Sequence, residues 1–497
     1  MSETGGVWSL LLRSAGRFPE RTAAVEGGRH MTYAGLLRRV RSLGAHLRIK
    51  GFGKRDKVGL LLPNSIEFVV SFFAASGIGA VSVPINPAYT EDEIRFYVEH
   101  GSLRLLVTST DLAGVAVKVT EGTGAEVMTV KGDSADWVFD TEALAPEVEE
   151  DIAPDDEAVY LYSTGSTGSP KRVGRTHANL MALAFNHTET IGWSEEDRVL
   201  FTVPLSHTYG FGNFLGAVKV GASMYMIGHM AGGFKRGEVI EVIERESITV
   251  FPAVPFMLGI LTDTHLQRKA DFSSLRMALS AGAPLTGDVY TKFRDKFGVQ
   301  PRQLYGSTET GVIAINMSED VDTRFDSVGR PVANVDVRVV GPDGSERGVD
   351  ERGEITVRSP SMTTSYYDLP EETARVFKGG YYHTGDIGRV DSDGYIYIEG
   401  REKLVINVAG NKVDPAEVEA VLCAHPAVKE AAVVGIADEG GAEVVKAVIV
   451  LEGELERAEV VQYLKGRLSG FKIPRVLEFR DEIPRSPTGK VLRERLK

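Results

Sequence analysis

A short apolar run, Val159-Tyr160-Leu161-Tyr162, opens without a break into Ser163-Thr164-Gly165-Ser166-Thr167-Gly168-Ser169-Pro170-Lys171. The run predicts a buried strand, so the loop leaves a rigid edge. Its glycines let the backbone turn tightly and come close to a ligand. Successive amide N–H groups in such a turn form a concavity that receives anions. Five hydroxyls add donors, and Lys171 closes the loop with a positive charge. A glycine–serine linker has a similar composition, but a linker neither follows a strand directly nor ends on a lysine. The spacing is not that of a Walker loop, because no Gly-Lys-Ser/Thr follows a first glycine at the required interval. Nor is there a dinucleotide fingerprint. Gly77-Ile78-Gly79 has Ser82 at the third glycine position, and a helix precedes it.

Composition narrows the field. The 497 residues suit three to four folding units, and 43% apolar with 25% charged residues is ordinary for globular proteins. A single cysteine, Cys423, excludes an internal disulfide and a cysteine-rich metal site. Its place beside Leu422 on a helix points to a packed thiol. The net charge of −13 opposes non-specific nucleic-acid binding. Residues 401–497 hold 16 basic and 16 acidic residues, so the negative balance belongs to the first 400. That break near residue 400 marks a domain boundary. The N-terminus lacks the basic-then-apolar order of a signal peptide, which implies a cytoplasmic protein. Phe68–Ile85 is uncharged and long enough to invite comparison with a membrane span. Gly77 and Gly79 interrupt it and Pro84 closes it, so it reads as a helix, a glycine turn and a buried strand.

Along the chain, helical and extended patterns alternate, which predicts an α/β fold. Thr90-Glu91-Asp92-Glu93 has the form of a capping box. From Val328 to Tyr397 the pattern shifts to short alternating runs separated by turns such as Pro342-Asp343-Gly344, the mark of a small antiparallel β unit or barrel. Beyond residue 400 the reading is α+β, with Asp414-Pro415 opening a helix.

Five further segments carry chemical groups on turns. They are Ser280-Ala281-Gly282-Ala283-Pro284, Tyr305-Gly306-Ser307-Thr308-Glu309, Tyr382-His383-Thr384-Gly385-Asp386, Gly400-Arg401-Glu402-Lys403 and Pro484-Arg485-Ser486-Pro487-Thr488-Gly489-Lys490. Each alone is an ordinary turn. In this order, together with the Ser163–Lys171 loop, the chain resembles the acyl-adenylate-forming (AMP-binding) superfamily. The resemblance runs from Thr32-Tyr33 to Lys490 and is closest to the acyl- and aryl-CoA synthetase branch.

The resemblance implies a large N-terminal AMP-binding domain over 1–400, built of layered α/β subdomains plus a β-barrel over about 325–400. A small mobile α+β lid over 401–497 follows, hinged near Lys403. Ser163, Thr164, Gly165, Ser166, Thr167, Gly168 and Lys171 would hold the ATP phosphates. Gly282, Ala283 and Pro284 would line the adenine pocket, and Tyr305, beside Gly306, would stack on the base. Thr308 would reach a phosphate and Glu309 would bind Mg²⁺. Asp386, assisted by Arg401, would take the ribose hydroxyls. Lys490 would bridge the substrate carboxylate and the α-phosphate, and His207 would gate the acyl pocket. Gly410 would border the tunnel for the thiol arm of coenzyme A. Tyr209, Phe211, Gly212, Val254 and Ala281 would line the acyl site. Arg172 stands where the family pattern has glycine, and Asn407 where lysine is frequent.

These residue types suit the chemistry. A carboxylate that attacks the α-phosphorus of ATP brings two anions together, so cations and oriented donors are required. The expected activity is therefore that of an ATP-dependent carboxylic acid–CoA ligase. It would make an acyl-adenylate and pyrophosphate, then acyl-CoA and AMP, with the lid rotating between steps. Pro204-Leu205-Ser206-His207-Thr208-Tyr209-Gly210-Phe211-Gly212 carries no carboxylate to hold an α-ammonium, which argues against amino-acid substrates. Two alternatives stay open: an enzyme that loads a carrier protein, and a non-catalytic nucleotide-binding relative. The identity of the acid, fatty or aromatic, and the oligomeric state, a homodimer included, are also open.

Overall fold

The computed structural model describes residues 6–130, 152–164, 170–228, 234–262, 270–401, 406–408, 411–413, 415–437, 443–465, 467–468, 470–486, 489 and 491–497. Two large sheets dominate it. One has six strands in the order Glu126–Val130, Leu105–Ser109, Lys57–Leu61, Val81–Ile85, Glu157–Thr164 and Pro170–Thr176. Its neighbours run parallel except the last pair, which form an antiparallel hairpin. The other has nine strands in the order Arg330–Pro331, Gly311–Ile315, Pro301–Ser307, Met277–Ser280, Val250–Ala253, Arg198–Phe201, Ser223–Met226, Thr22–Glu26 and Arg29–Thr32. Strand–helix alternation supplies the crossovers that parallel pairing requires.

The uncharged stretch resolves as its glycines suggest. Helix Ile66–Gly77 is capped by the Ser65 hydroxyl, which accepts from the Phe68 N–H at 3.1 Å. Gly79, at φ 72°, makes the turn into the buried strand Val81–Ile85. The helix touches strands of both sheets, which explains why it is buried on nearly every side. Its Phe72 ring meets Phe211 edge-on at 5.0 Å and Phe214 at 5.6 Å, both on helix Thr208–Val220. Among the described residues no helix is long and apolar enough to cross a membrane. The Thr90–Glu93 capping box is present with both reciprocal hydrogen bonds.

The segment after residue 325 forms a five-stranded antiparallel sheet around the long strand Tyr381–Val390. Asp336–Val340, Gly353–Arg358, Phe377–Lys378 and Ile396–Arg401 complete it, over a core of Val339, Ile355, Val357 and Ile396. Gly329 joins this unit to the nine-stranded sheet. It has φ 92°, and a Cβ there would fall 2.0 Å from the Ile315 carbonyl, so only glycine fits.

The last hundred residues carry a separate three-stranded sheet, Val428–Ala437, Glu443–Leu451 and Val476–Phe479. Helices Pro415–Cys423 and Arg457–Lys465 pack on it through Val418, Leu422, Val460 and Leu464. The expected cap, Asp414, lies outside the described residues. Cys423 is exposed, contrary to the packed position expected for it. It ends its helix, where the apolar stripe runs out. Partial burial among its neighbours still raises the thiol pKa, which opposes reactivity.

Candidate active site

The hairpin at the edge of the six-stranded sheet presents the hydroxyl-rich loop. Its ladder pairs Ser163 with Lys171 and Thr164 with Pro170, so the strands run through the ends of the segment first read as loop. Only five residues remain at the tip. Those five, Gly165, Ser166, Thr167, Gly168 and Ser169, lie outside the described residues. The Lys171 ammonium is nearly buried, contacts the Glu372 carboxylate and lies 5.0 Å over the Tyr366 ring. Arg375 binds the same carboxylate at 2.5 and 2.8 Å. Arg375 first, and Lys171 after it, hold the Glu372 pKa down to about 2.

A second cluster gathers three of the candidate turns. The half-buried Tyr305 hydroxyl donates to Asp386 Oδ2 at 2.6 Å, and Arg401 Nε lies 3.2 Å from Oδ1. Both oxygens of one carboxylate are thus oriented. Asp386 is also fixed through its backbone N–H, which donates to the Thr384 hydroxyl at 3.0 Å. Burial and the adjacent Asp386 raise the Tyr305 pKa, so the phenol stays a donor. Such a carboxylate has lone pairs left for ligand hydroxyls.

Glu309 is buried and accepts from the Tyr366 hydroxyl at 2.7 Å on Oε1. Among the described residues its Oε2 accepts no hydrogen bond. The backbone of Thr308 and Glu309 is pinned from below by Arg175, whose Nη1 donates to the two carbonyls at 2.9 and 2.8 Å. Arg175 is fully buried, and burial pushes its pKa down to about 10. It holds the loop between Gly306 and Gly311 in place. A Cβ on Gly306 would lie 2.3 Å from the Gly311 carbonyl oxygen. Arg175, Tyr366 and Glu372 were not legible from sequence. Each acts across a subdomain boundary, and none stands in a turn motif.

Arg172 points away from the hairpin tip. Its guanidinium is sandwiched between Tyr160 and Tyr367, at 4.6 and 2.9 Å from the ring centres, and Nη1 donates to the His100 carbonyl at 2.8 Å. The arginine in place of glycine therefore fastens the root of the hairpin to the antiparallel unit. The Tyr367 N–H also donates to the Arg172 carbonyl at 3.2 Å.

His207 caps helix Thr208–Val220, its Nδ1 accepting from the Tyr209 N–H at 3.3 Å. Helix geometry then divides the acyl-site candidates, because residues two apart project about 200° apart around the axis. Tyr209 turns its hydroxyl to the Leu279 carbonyl at 3.3 Å. Phe211 goes the other way, into the aromatic core, and Gly212 faces Leu183 of helix His177–Ile191. Val254 and Ala281 are buried at the ends of neighbouring strands. Gly282, at φ 87°, sits with its Cβ position 3.8 Å from Val254, while Ala283 and Pro284 are exposed.

The C-terminal loop reaches this same shelf. The Cβ position of Gly489 is 3.6 Å from Val254 and 3.5 Å from Phe256, and the Arg485 guanidinium lies 5.4 Å from the Phe256 ring centre. Lys490 follows directly but lies outside the described residues, as do Lys403 and Gly410.

A hydroxyl-rich hairpin, an oriented carboxylate pair and an apolar shelf at one face are the equipment of an enzyme that handles a nucleotide beside an apolar group. Comparison with known proteins agrees. The family model for AMP-binding enzymes matches residues 11–367, and that for the AMP-binding enzyme C-terminal domain matches 417–490. A feruloyl-CoA synthase of Amycolatopsis is 34% identical over 98% of each chain. The 4-coumarate–CoA ligase 3 of Oryza sativa subsp. japonica is 33% identical, over 96% of this chain and 89% of its own. The solved structure of an anthranilate CoA ligase in complex with anthranoyl-AMP aligns with TM-score 0.89 and 27% identity, covering 100% of this chain and 97% of that one. The chain belongs to the AMP-binding enzyme family, in its acyl-CoA synthetase branch. It is an AMP-forming acid–thiol ligase that uses ATP and coenzyme A.

Proposed function

We propose that the acid is aromatic, of the hydroxycinnamate type. The observation that carries this reading is the shelf of Tyr209, Val254 and Ala281. It is uncharged, and the one phenol on it is already paired with the Leu279 carbonyl. Such a wall offers a ring face and apolar carbon, which suits a planar aryl group. The names of the feruloyl and coumaroyl relatives support the same class.

In this reading Asp386 binds the ribose hydroxyls, and the Ser163–Lys171 hairpin holds the β- and γ-phosphates. Gly282, Ala283, Pro284 and Tyr305 bound the adenine. Glu309 suits Mg²⁺, which takes one or two carboxylates plus phosphate oxygens. Its Oε1 is steadied by Tyr366 and its Oε2 is open to an ion among the described residues. When bound, the ion would offset phosphate charge.

The substrate carboxylate attacks the α-phosphorus and pyrophosphate leaves. Lys490, next after Gly489 in sequence, neutralises the two approaching anions. The 401–497 lid then turns about Lys403, and Gly410 opens a path for the thiol of coenzyme A. That thiol adds to the acyl carbonyl, loses its proton and displaces AMP.

The test is pyrophosphate release over short, medium, long and aromatic acids, each with and without coenzyme A. Hydroxycinnamates are expected to exceed fatty acids in kcat/KM by at least about 10-fold, the discrimination that pocket contacts supply. A preference for long-chain acids would overturn the aryl assignment. Turnover only with an added carrier protein would place the enzyme among carrier-loading relatives.

A further inference from the structure

Tyr366 stands between the two groups to which the proposed function gives the nucleotide phosphates and their ion, and no sequence motif drew attention to it. Its hydroxyl donates to Glu309 Oε1 at 2.7 Å. The same ring lies under the Lys171 ammonium at 5.0 Å. Glu309 comes from a turn between two strands of the nine-stranded sheet, Lys171 from the hairpin of the six-stranded sheet, and Tyr366 from the segment between strands Gly353–Arg358 and Phe377–Lys378 of the antiparallel unit. One side chain thus touches a group from each of the other two units.

The ring has little freedom. The Tyr366 N–H donates to the Thr373 hydroxyl at 3.0 Å, and its backbone bridges Val173. Phe377 packs edge-on against it at 5.8 Å. Next door, Arg172 grips Tyr367, so the hairpin residues 171 and 172 hold 366 and 367 one against one. A loosely held tyrosine would gain nothing from either contact. This one is fixed on both its backbone and its ring.

We infer that Tyr366 is a positioning residue that sets the spacing between Lys171 and Glu309, and so couples phosphate binding to magnesium binding. The inference rests on the proposed role of Glu309 as the Mg²⁺ ligand. Its two halves are separable. The hydroxyl orients Glu309, leaving Oε2 toward the ion. The ring supports Lys171, whose other contact, Glu372, is shared with Arg375.

The experiment measures the equilibrium dissociation constant of ATP by calorimetry, with and without Mg²⁺, for the wild type and for Y366F, Y366L and E309Q. Melting temperatures show which variants fold, and pyrophosphate-exchange kinetics are recorded beside them. Y366F keeps the ring and loses the hydroxyl. It should weaken ATP binding about 10-fold with Mg²⁺, the scale of a hydrogen bond to a charged group, and by less than about 2-fold without it. Y366L also removes the platform under Lys171, so metal-free binding should weaken a further few-fold, about 2- to 5-fold. A purely structural role would weaken both conditions equally. E309Q should lose the Mg²⁺ enhancement altogether. If E309Q keeps it, the reading of Glu309 fails, and the inference with it. If E309Q loses it while Y366F keeps the wild-type ratio, Glu309 stands and the role of Tyr366 is overturned. Y366L decides the ring half alone, since unchanged metal-free binding removes the Lys171 coupling.

Discussion

Replacing Lys490 by alanine is expected to slow acyl-adenylate formation by about 10²- to 10³-fold, the loss seen when a preorganised group that stabilises transition-state charge is removed. Thioester formation from supplied acyl-adenylate should stay within about 3-fold of the wild type, since that step no longer joins two anions. The asymmetry follows from charge, because only the first step brings two anions together. Gly489 rests on Val254 and Phe256, and the adjacent Arg485 lies over the Phe256 ring. The Gly489 carbonyl accepts from Arg485 Nη1 at 2.6 Å. The measurement is single-turnover kinetics of the two half-reactions. Equal losses in both would assign Lys490 to folding or docking and not to the attack on phosphorus.

The second large effect is expected at Asp386. Its carboxylate is held by Tyr305 and Arg401 with lone pairs left over. Two ribose hydroxyls donating to one carboxylate are charge-assisted hydrogen bonds, so D386A should lower kcat/KM for ATP by about 30- to 100-fold. The same substitution also leaves the half-buried Tyr305 hydroxyl without its acceptor. A substrate cycle separates the two. The wild type should discriminate against 2′-deoxy-ATP and 3′-deoxy-ATP, whereas D386A should treat them like ATP within about 2-fold, since coupled groups do not add. If D386A still penalises the deoxynucleotides as the wild type does, the ribose is bound elsewhere.

How far the residues foretold the molecule depends on how locally each feature is written. The α/β class, the resolution of Phe68–Ile85 into helix, turn and strand, and the family were legible, because glycine turns, capping boxes and motif order are short-range signals. The acyl-side residues were harder. Tyr209 and Phe211 are both aromatic and two apart, but only the start of the helix at Thr208 shows that they face different ways. Cys423 is exposed for a similar reason: its helix ends there, and the apolar stripe does not include it.

The residues with no advance signal are those whose partners are far away in sequence. Arg175 reaches carbonyls at 308 and 309, and Glu372 reaches Lys171. A charged residue on a strand or helix ordinarily reads as solvated surface. Arg172 is the instructive case. By sequence it is a departure from the family pattern, an arginine where glycine is usual. Its side chain instead lies between two tyrosines at the root of the hairpin. What it changes is the attachment of the hairpin to the antiparallel unit.

The account stands most directly on whether activation and thioester formation are separate events on this chain. Acid-dependent ATP–pyrophosphate exchange, measured with a hydroxycinnamate and without coenzyme A, tests that in one assay. The account predicts robust exchange, with acyl-adenylate accumulating to about one per protein, and release of AMP only after coenzyme A is added. Exchange that requires coenzyme A, or formation of ADP and phosphate in place of AMP and pyrophosphate, would contradict it.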